Sequence, residues 1–130
     1  MFSGCSVEVE ETAPRYDAVR TDPTMISLYK KHATAYGVDF LSEEDSKKVM
    51  ASTDFGNITQ RVPAIHPLYK IETGGAVNHT HAFTATAGHP SSQAPTLVSA
   101  KCMALTAIEI ACDSDCKGLL ERMKAELGSK

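Results

Sequence analysis

No uninterrupted apolar run in these 130 residues approaches the roughly 18 needed to cross a bilayer, and the opening Met-Phe-Ser-Gly-Cys lacks a basic region followed by an apolar one. The sequence therefore predicts neither a membrane span nor secretion by a signal peptide. It also lacks a long basic run. With a formal net charge of -3, it carries no electrostatic footprint for phosphate backbones or anionic membranes, which argues against nucleic acid as a partner. Cysteines are few and irregularly spaced, at 5, 102, 112 and 116, so no disulfide scaffold is expected and a reducing, cytoplasmic location is. Asn57-Ile58-Thr59 and Asn78-His79-Thr80 match the glycosylation sequon, but that pattern recurs by chance and matters only to a secreted chain. What remains is an ordinary globular composition, 42% apolar and 22% charged, in a length that suits one domain or a piece of a larger one.

Along the chain, Cys5-Ser6-Val7-Glu8-Val9-Glu10 alternates by twos like a half-buried strand, without a partner strand before it. Asp22-Pro23 predicts a helix start, with Asp as cap and Pro at the first helical position. Met25, Leu28, Tyr29, His32 and Tyr36 then form the apolar stripe, and Gly37 supplies the stop. Ser42 to Met50 suits a short surface helix or a loop, and Ser52 to Asn57 has turn chemistry. Ile58 to Val62 and Ala64 to Ile71 read as two short strands, interrupted by Pro63 and Pro67 and so best placed at an edge. Gly74 to Ser92 is a loop-like stretch holding three of the five histidines. Pro95 to Cys112 predicts a helix apolar around most of its circumference, hence buried, and Asp115 to Leu127 an amphipathic one. Strands followed by long helices predict an α/β layer.

Ala51-Ser52-Thr53-Asp54-Phe55-Gly56-Asn57, then Arg61-Val62-Pro63-Ala64-Ile65-His66-Pro67, Asn78-His79-Thr80-His81-Ala82-Phe83 with Ala87-Gly88, and Ala100-Lys101-Cys102-Met103-Ala104-Leu105-Thr106-Ala107 form an ordered set. That set resembles the aminoacylase-like zinc metallopeptidases and amidohydrolases, and most of all the branch of p-aminobenzoyl-glutamate hydrolase and the β-Ala-Lys (Xaa-Arg) dipeptidase. The resemblance spans nearly the whole chain. It implies a two-domain enzyme in which a catalytic α/β domain, a sheet packed by helices, is interrupted by a lid that also makes the dimer contact. Residues 1–14 would be the last strand of the lid and residues 15–130 the carboxy-terminal part of the catalytic domain. It further implies two zinc ions acidifying a shared water for attack on an amide carbonyl, with a glutamate as general base. Most ligands and the base would come from an amino-terminal half, and His79 would be the one metal ligand on this side.

Outside the resemblance, His79 would read as an exposed loop histidine. His81 would point the other way on an extended segment. His89 reads as a surface residue, and His66 as structural. Asp54 is either part of an active-site loop or an ordinary turn residue. Cys112 and Cys116, four apart, could share a helical face, but two separate thiols are the simpler reading. Gly74-Gly75 lacks phosphate-loop spacing.

The expectation is thus a fragment of a zinc-dependent enzyme that cleaves a dipeptide or N-acyl amino acid, inactive alone and homo-oligomeric when complete. The alternative is a non-catalytic, truncated partner that associates with a full-length relative through its first strand and buried helix. In a partial gene product, Met1 would be an internal methionine.

Overall fold

Asp22 and Pro23 open the first helix as their chemistry dictates. The Asp22 carboxylate accepts a 2.8 Å bond from the Met25 amide, and Pro23 stands where no donor is needed, giving α1, Pro23–Ala35. Its far end is a Schellman turn: Val38 N–H reaches Ala33 O, Gly37 N–H reaches Thr34 O, and Gly37 takes the left-handed backbone (φ 74°) that glycine tolerates best. Val38 then packs against the cluster containing Ala33, as that motif favours.

The computed structural model describes residues 4–48 and 52–128. After α1 come α2 (Glu43–Lys48), α3 (Phe55–Thr59), α4 (His81–Ala87), a 3-10 turn (Pro90–Ser92), α5 (Gln93–Ala111) and α6 (Cys116–Gly128). The core lies where α1 crosses α5. Tyr29, Ala33 and Cys102 are buried there, flanked by Ile65 and Val98, and the Tyr29 hydroxyl meets Ser99 Oγ at 3.2 Å. At one end of the same contact, Lys31 Nζ and His32 Nε2 lie 2.6 and 2.7 Å from the two carboxylate oxygens of Glu109. The Lys31 contact is a hydrogen bond, whereas the buried His32 Nε2 lies close to Glu109 without meeting hydrogen-bond geometry. The Arg20 guanidinium donates to the carbonyls of Glu126 and Leu127 and so closes the last turn of α6.

The α/β expectation is overturned, for no strand occurs among the described residues. Residues 5–10 have no regular structure, Val7 and Val9 are more than 80% exposed, and no ladder forms there, so the anticipated last strand of a lid is absent as a strand. Ile58 to Val62 instead forms the end of α3 and the turn that follows it, where the Ile58 carbonyl accepts from the amides of Arg61 and Val62. Residues 63–72 run without regular structure. Pro63 and Pro67 remove two donors, and the Ala64 carbonyl is taken by Asp22 N at 2.9 Å. The place of a partner strand is filled by side chains. Asn57 accepts from Asp17 N (2.8 Å) and donates to Arg15 O (3.0 Å), Thr59 Oγ1 accepts from Arg20 N, and Gln60 donates to Ala18 O. Residues 15–20 are therefore zipped to α3 rather than to a sheet.

A second correction concerns α5. It forms as expected, two residues earlier at its start, but it is not buried all round: Leu97, Met103 and Ile108 are each at least half exposed. By length and composition this helix could cross a membrane, the one such helix among the described residues.

Candidate functional site

The histidine-rich stretch is more ordered than its composition suggests. Gly74 and Gly75 both adopt positive φ, with the Gly74 amide bonding Glu72 Oε1, and Ala76 N closes a turn on Thr73 O. Thr80 then caps α4: its hydroxyl donates to Val77 O at 2.7 Å and accepts from Phe83 N at 3.2 Å. His79 is caught between these two anchors. It is the one non-glycine residue with positive φ (65°) among those described, and it is exposed. A non-glycine residue held in the left-handed region stores strain of the order of 1 kcal/mol, and such strain clusters at functional sites and ligand clamps.

The other histidines are placed apart in role. His81 is the first residue of α4 and exposed. His89 caps the 3-10 turn, its Nδ1 accepting from Ser91 N at 3.2 Å and meeting Ser91 Oγ at 2.9 Å. The His66 ring lies against Phe55, centroids 4.7 Å apart and tilted by 39°. Asp54 is exposed at the start of α3, and its side chain makes no capping bond. Cys112 is the C-cap that follows α5 and Cys116 begins α6, with the Asp113–Asp115 turn between them, so they do not share one helical face. None of the four cysteines forms a disulfide.

Zinc in a catalytic site takes three protein ligands and keeps one open position. Among the described residues, no group of three or more His, Cys, Asp or Glu could hold a metal ion. His79 fits one position of such a site: an accessible imidazole on a fixed turn, with the neighbouring hydroxyl already committed to the backbone. The described residues do not fit the whole of it.

One charged cluster escaped the sequence reading, namely Lys31, His32 and Glu109. Glu109 is the only acid in a 19-residue apolar helix, and that isolation was the available signal. Its carboxyl is held below its usual range, first by the Lys31 hydrogen bond and then by the charge of Lys31 and by His32, against a smaller opposing effect of burial. Burial pushes the Cys102 thiol up.

No family model and no solved structure matches the chain. Two curated proteins do. The chain is 38% identical over 111 residues to Xaa-Arg dipeptidase of Mus musculus, covering 85% of this chain and 26% of the relative. It is 36% identical over 111 residues to Xaa-Arg dipeptidase of Homo sapiens, covering 85% and 25%. A stretch of 111 residues within 130 necessarily contains residues 20–111, so Asp54, His79 and all of α5 lie inside it. The chain is thus similar to Xaa-Arg dipeptidase in two mammals and spans about a quarter of their length.

Proposed function

We propose that this chain is the carboxy-terminal part of a zinc-dependent amidohydrolase that cleaves a dipeptide, with His79 as one imidazole ligand of a metal site completed by residues outside those described. The observation that carries the reading is the 38% identity to Xaa-Arg dipeptidase across 111 residues. The left-handed, exposed His79 supports the assignment of the ligand. Residues 15–130 would then belong to the catalytic domain and residues 1–14 to the end of the lid, and the complete enzyme would be an oligomer.

Bound zinc would supply an acidified water for attack on the amide. What this chain contributes is placement. The Thr80 cap and the double-glycine turn fix the backbone from which the His79 ring projects, and a neutral imidazole there can accept a metal through either nitrogen. Asp54, exposed at the start of α3, is proposed to face the same reaction space, where a carboxylate could contact the substrate amine. Among the described residues no group of three or more His, Cys, Asp or Glu could hold a metal ion, which supports the reading that the isolated chain lacks hydrolase activity.

The test is a graft in which this chain replaces the matched stretch of the mouse relative, assayed on an Xaa-Arg dipeptide. The parent graft should hydrolyse it. His79→Ala should lose more than the roughly 10–100-fold that removal of an outer-shell partner costs, while His81→Ala stays within a few-fold of the parent. Equal activity in His79→Ala and parent would overturn the assignment, and zinc-dependent turnover by the isolated chain would contradict its predicted inactivity.

A further inference from the structure

Carboxylates are scarce around His79. Between Asp45 and Glu109 the sequence holds two acids, Asp54 and Glu72, against five basic residues. Asp54 stands at the start of α3, whereas Glu72 belongs to the turn that leads into His79. Its Oε1 accepts from the Gly74 amide at 3.2 Å, so the double-glycine turn that fixes the His79 backbone also fixes this side chain. Glu72 is exposed. It forms no ion pair among the described residues, although Lys70 is two positions away.

The turn also borders open space. Gly74 and Gly75 have φ of 57° and 90°, and a Cβ placed on either would meet nothing but its chain neighbours within 4 Å. Val77, two residues before His79, is 70% exposed. A side chain with a cationic head and a methylene stem needs a hydrogen-bond acceptor for the one and an apolar surface for the other, and both lie along this stretch. Each carboxylate oxygen has two lone-pair sites, so the bond from Gly74 leaves Glu72 able to receive an arginine fork.

On the dipeptidase reading, we infer that Glu72 selects the substrate: its carboxylate receives the cationic head of a basic side chain on the dipeptide, while His79 serves the metal. Asp54 then meets the amine, which every dipeptide has, and Glu72 meets the side chain, in which dipeptides differ.

The test is kcat/KM of the mouse graft on two dipeptides that share an amino-terminal residue, one ending in arginine and the other in citrulline, whose urea is a neutral isostere of guanidinium. The parent should prefer arginine by about ten-fold or more, as a hydrogen bond to a charged group implies. Glu72→Gln keeps an oxygen for the Gly74 amide and the size of the side chain. It should bring the two dipeptides within a few-fold of each other, by raising KM for the arginine dipeptide alone and leaving the melting temperature unchanged. Asp54→Asn should slow both alike. A parent without preference, or a preference that survives Glu72→Gln, would put Glu72 out of contact with the substrate. Equal slowing of both dipeptides by Glu72→Gln would make the residue structural, and a preference lost in Asp54→Asn instead would give the cation to Asp54. Each of these overturns the assignment of Glu72 and leaves the dipeptidase reading standing, whereas a parent graft that hydrolyses neither dipeptide overturns that reading and Glu72 with it.

Discussion

At the scale of single residues, His79 carries the most weight because it sits where its backbone is strained. Glycine removes that strain, so His79→Gly should leave the chain as stable as the parent or more stable by up to about 1 kcal/mol, while abolishing hydrolysis in the graft. A clear loss of stability in a denaturant titration would show that the imidazole is there for packing. Asn57 is the contrasting case, structural throughout. Asn57→Ala strips both bonds to the segment at Arg15 and Asp17 and should cost about 1–3 kcal/mol, read as a lower denaturation midpoint. Glu109 sets a pH dependence. Its carboxyl is depressed in the folded chain, so the stability it contributes is complete above the ordinary carboxylate range and is lost as pH falls through the lower folded value. Melting curves from pH 6 downward should therefore fall less steeply in Glu109→Gln than in the parent; parallel curves would remove Glu109 from the account.

At the scale of elements, α3 and α5 decide the architecture, and they show what the sequence could and could not reveal. A Cβ at Gly56 would sit 1.8 Å from the Asp17 carbonyl oxygen. Gly56→Ala must therefore push the backbone at Asp17 and Ala18 away from α3, at a cost of roughly 1–3 kcal/mol, measurable as a drop in melting temperature; an unchanged melt would mean that the zip between them is not formed. The helices were legible because their signals are local: Asp22-Pro23 and Gly37 bracket α1, and apolar spacing marks α5 and α6. The strands were misread because alternation at Cys5 to Glu10 and β-rich residues at Ile58 to Ile71 describe a preference for extended backbone, whereas a sheet also needs a partner with free donors. Pro63 and Pro67 lack donors, and Asn57, Thr59 and Gln60 meet the backbone of residues 15–20 with side chains instead. The candidate site was legible only in part. His79 could be picked out by resemblance, but its left-handed backbone depends on the Thr80 cap and the Gly74-Gly75 turn acting together, and periodicity does not report that. The buried side of α5 was hidden because a helix that is apolar nearly all round does not announce which side is covered.

At the scale of the whole molecule, the described residues bury few large side chains, with Tyr29, Cys102, Ile110 and Met123 foremost, and leave a broad apolar surface in water. At about 25 cal/mol per Å² of apolar area left uncovered, the chain on its own should melt lower and less cooperatively than the same residues in the graft, by calorimetry. An equally high, sharp melt for both would mean that the chain needs nothing more to complete its core. The proposed zinc site likewise calls on further residues, since one imidazole serves a metal only in company. The central claim is that His79 is one ligand of a shared zinc site. It is tested most directly by the zinc content of the purified graft, measured for the parent, His79→Ala and His81→Ala. The account predicts that His79→Ala loses bound zinc relative to the parent while His81→Ala keeps it; full zinc content in His79→Ala would contradict it.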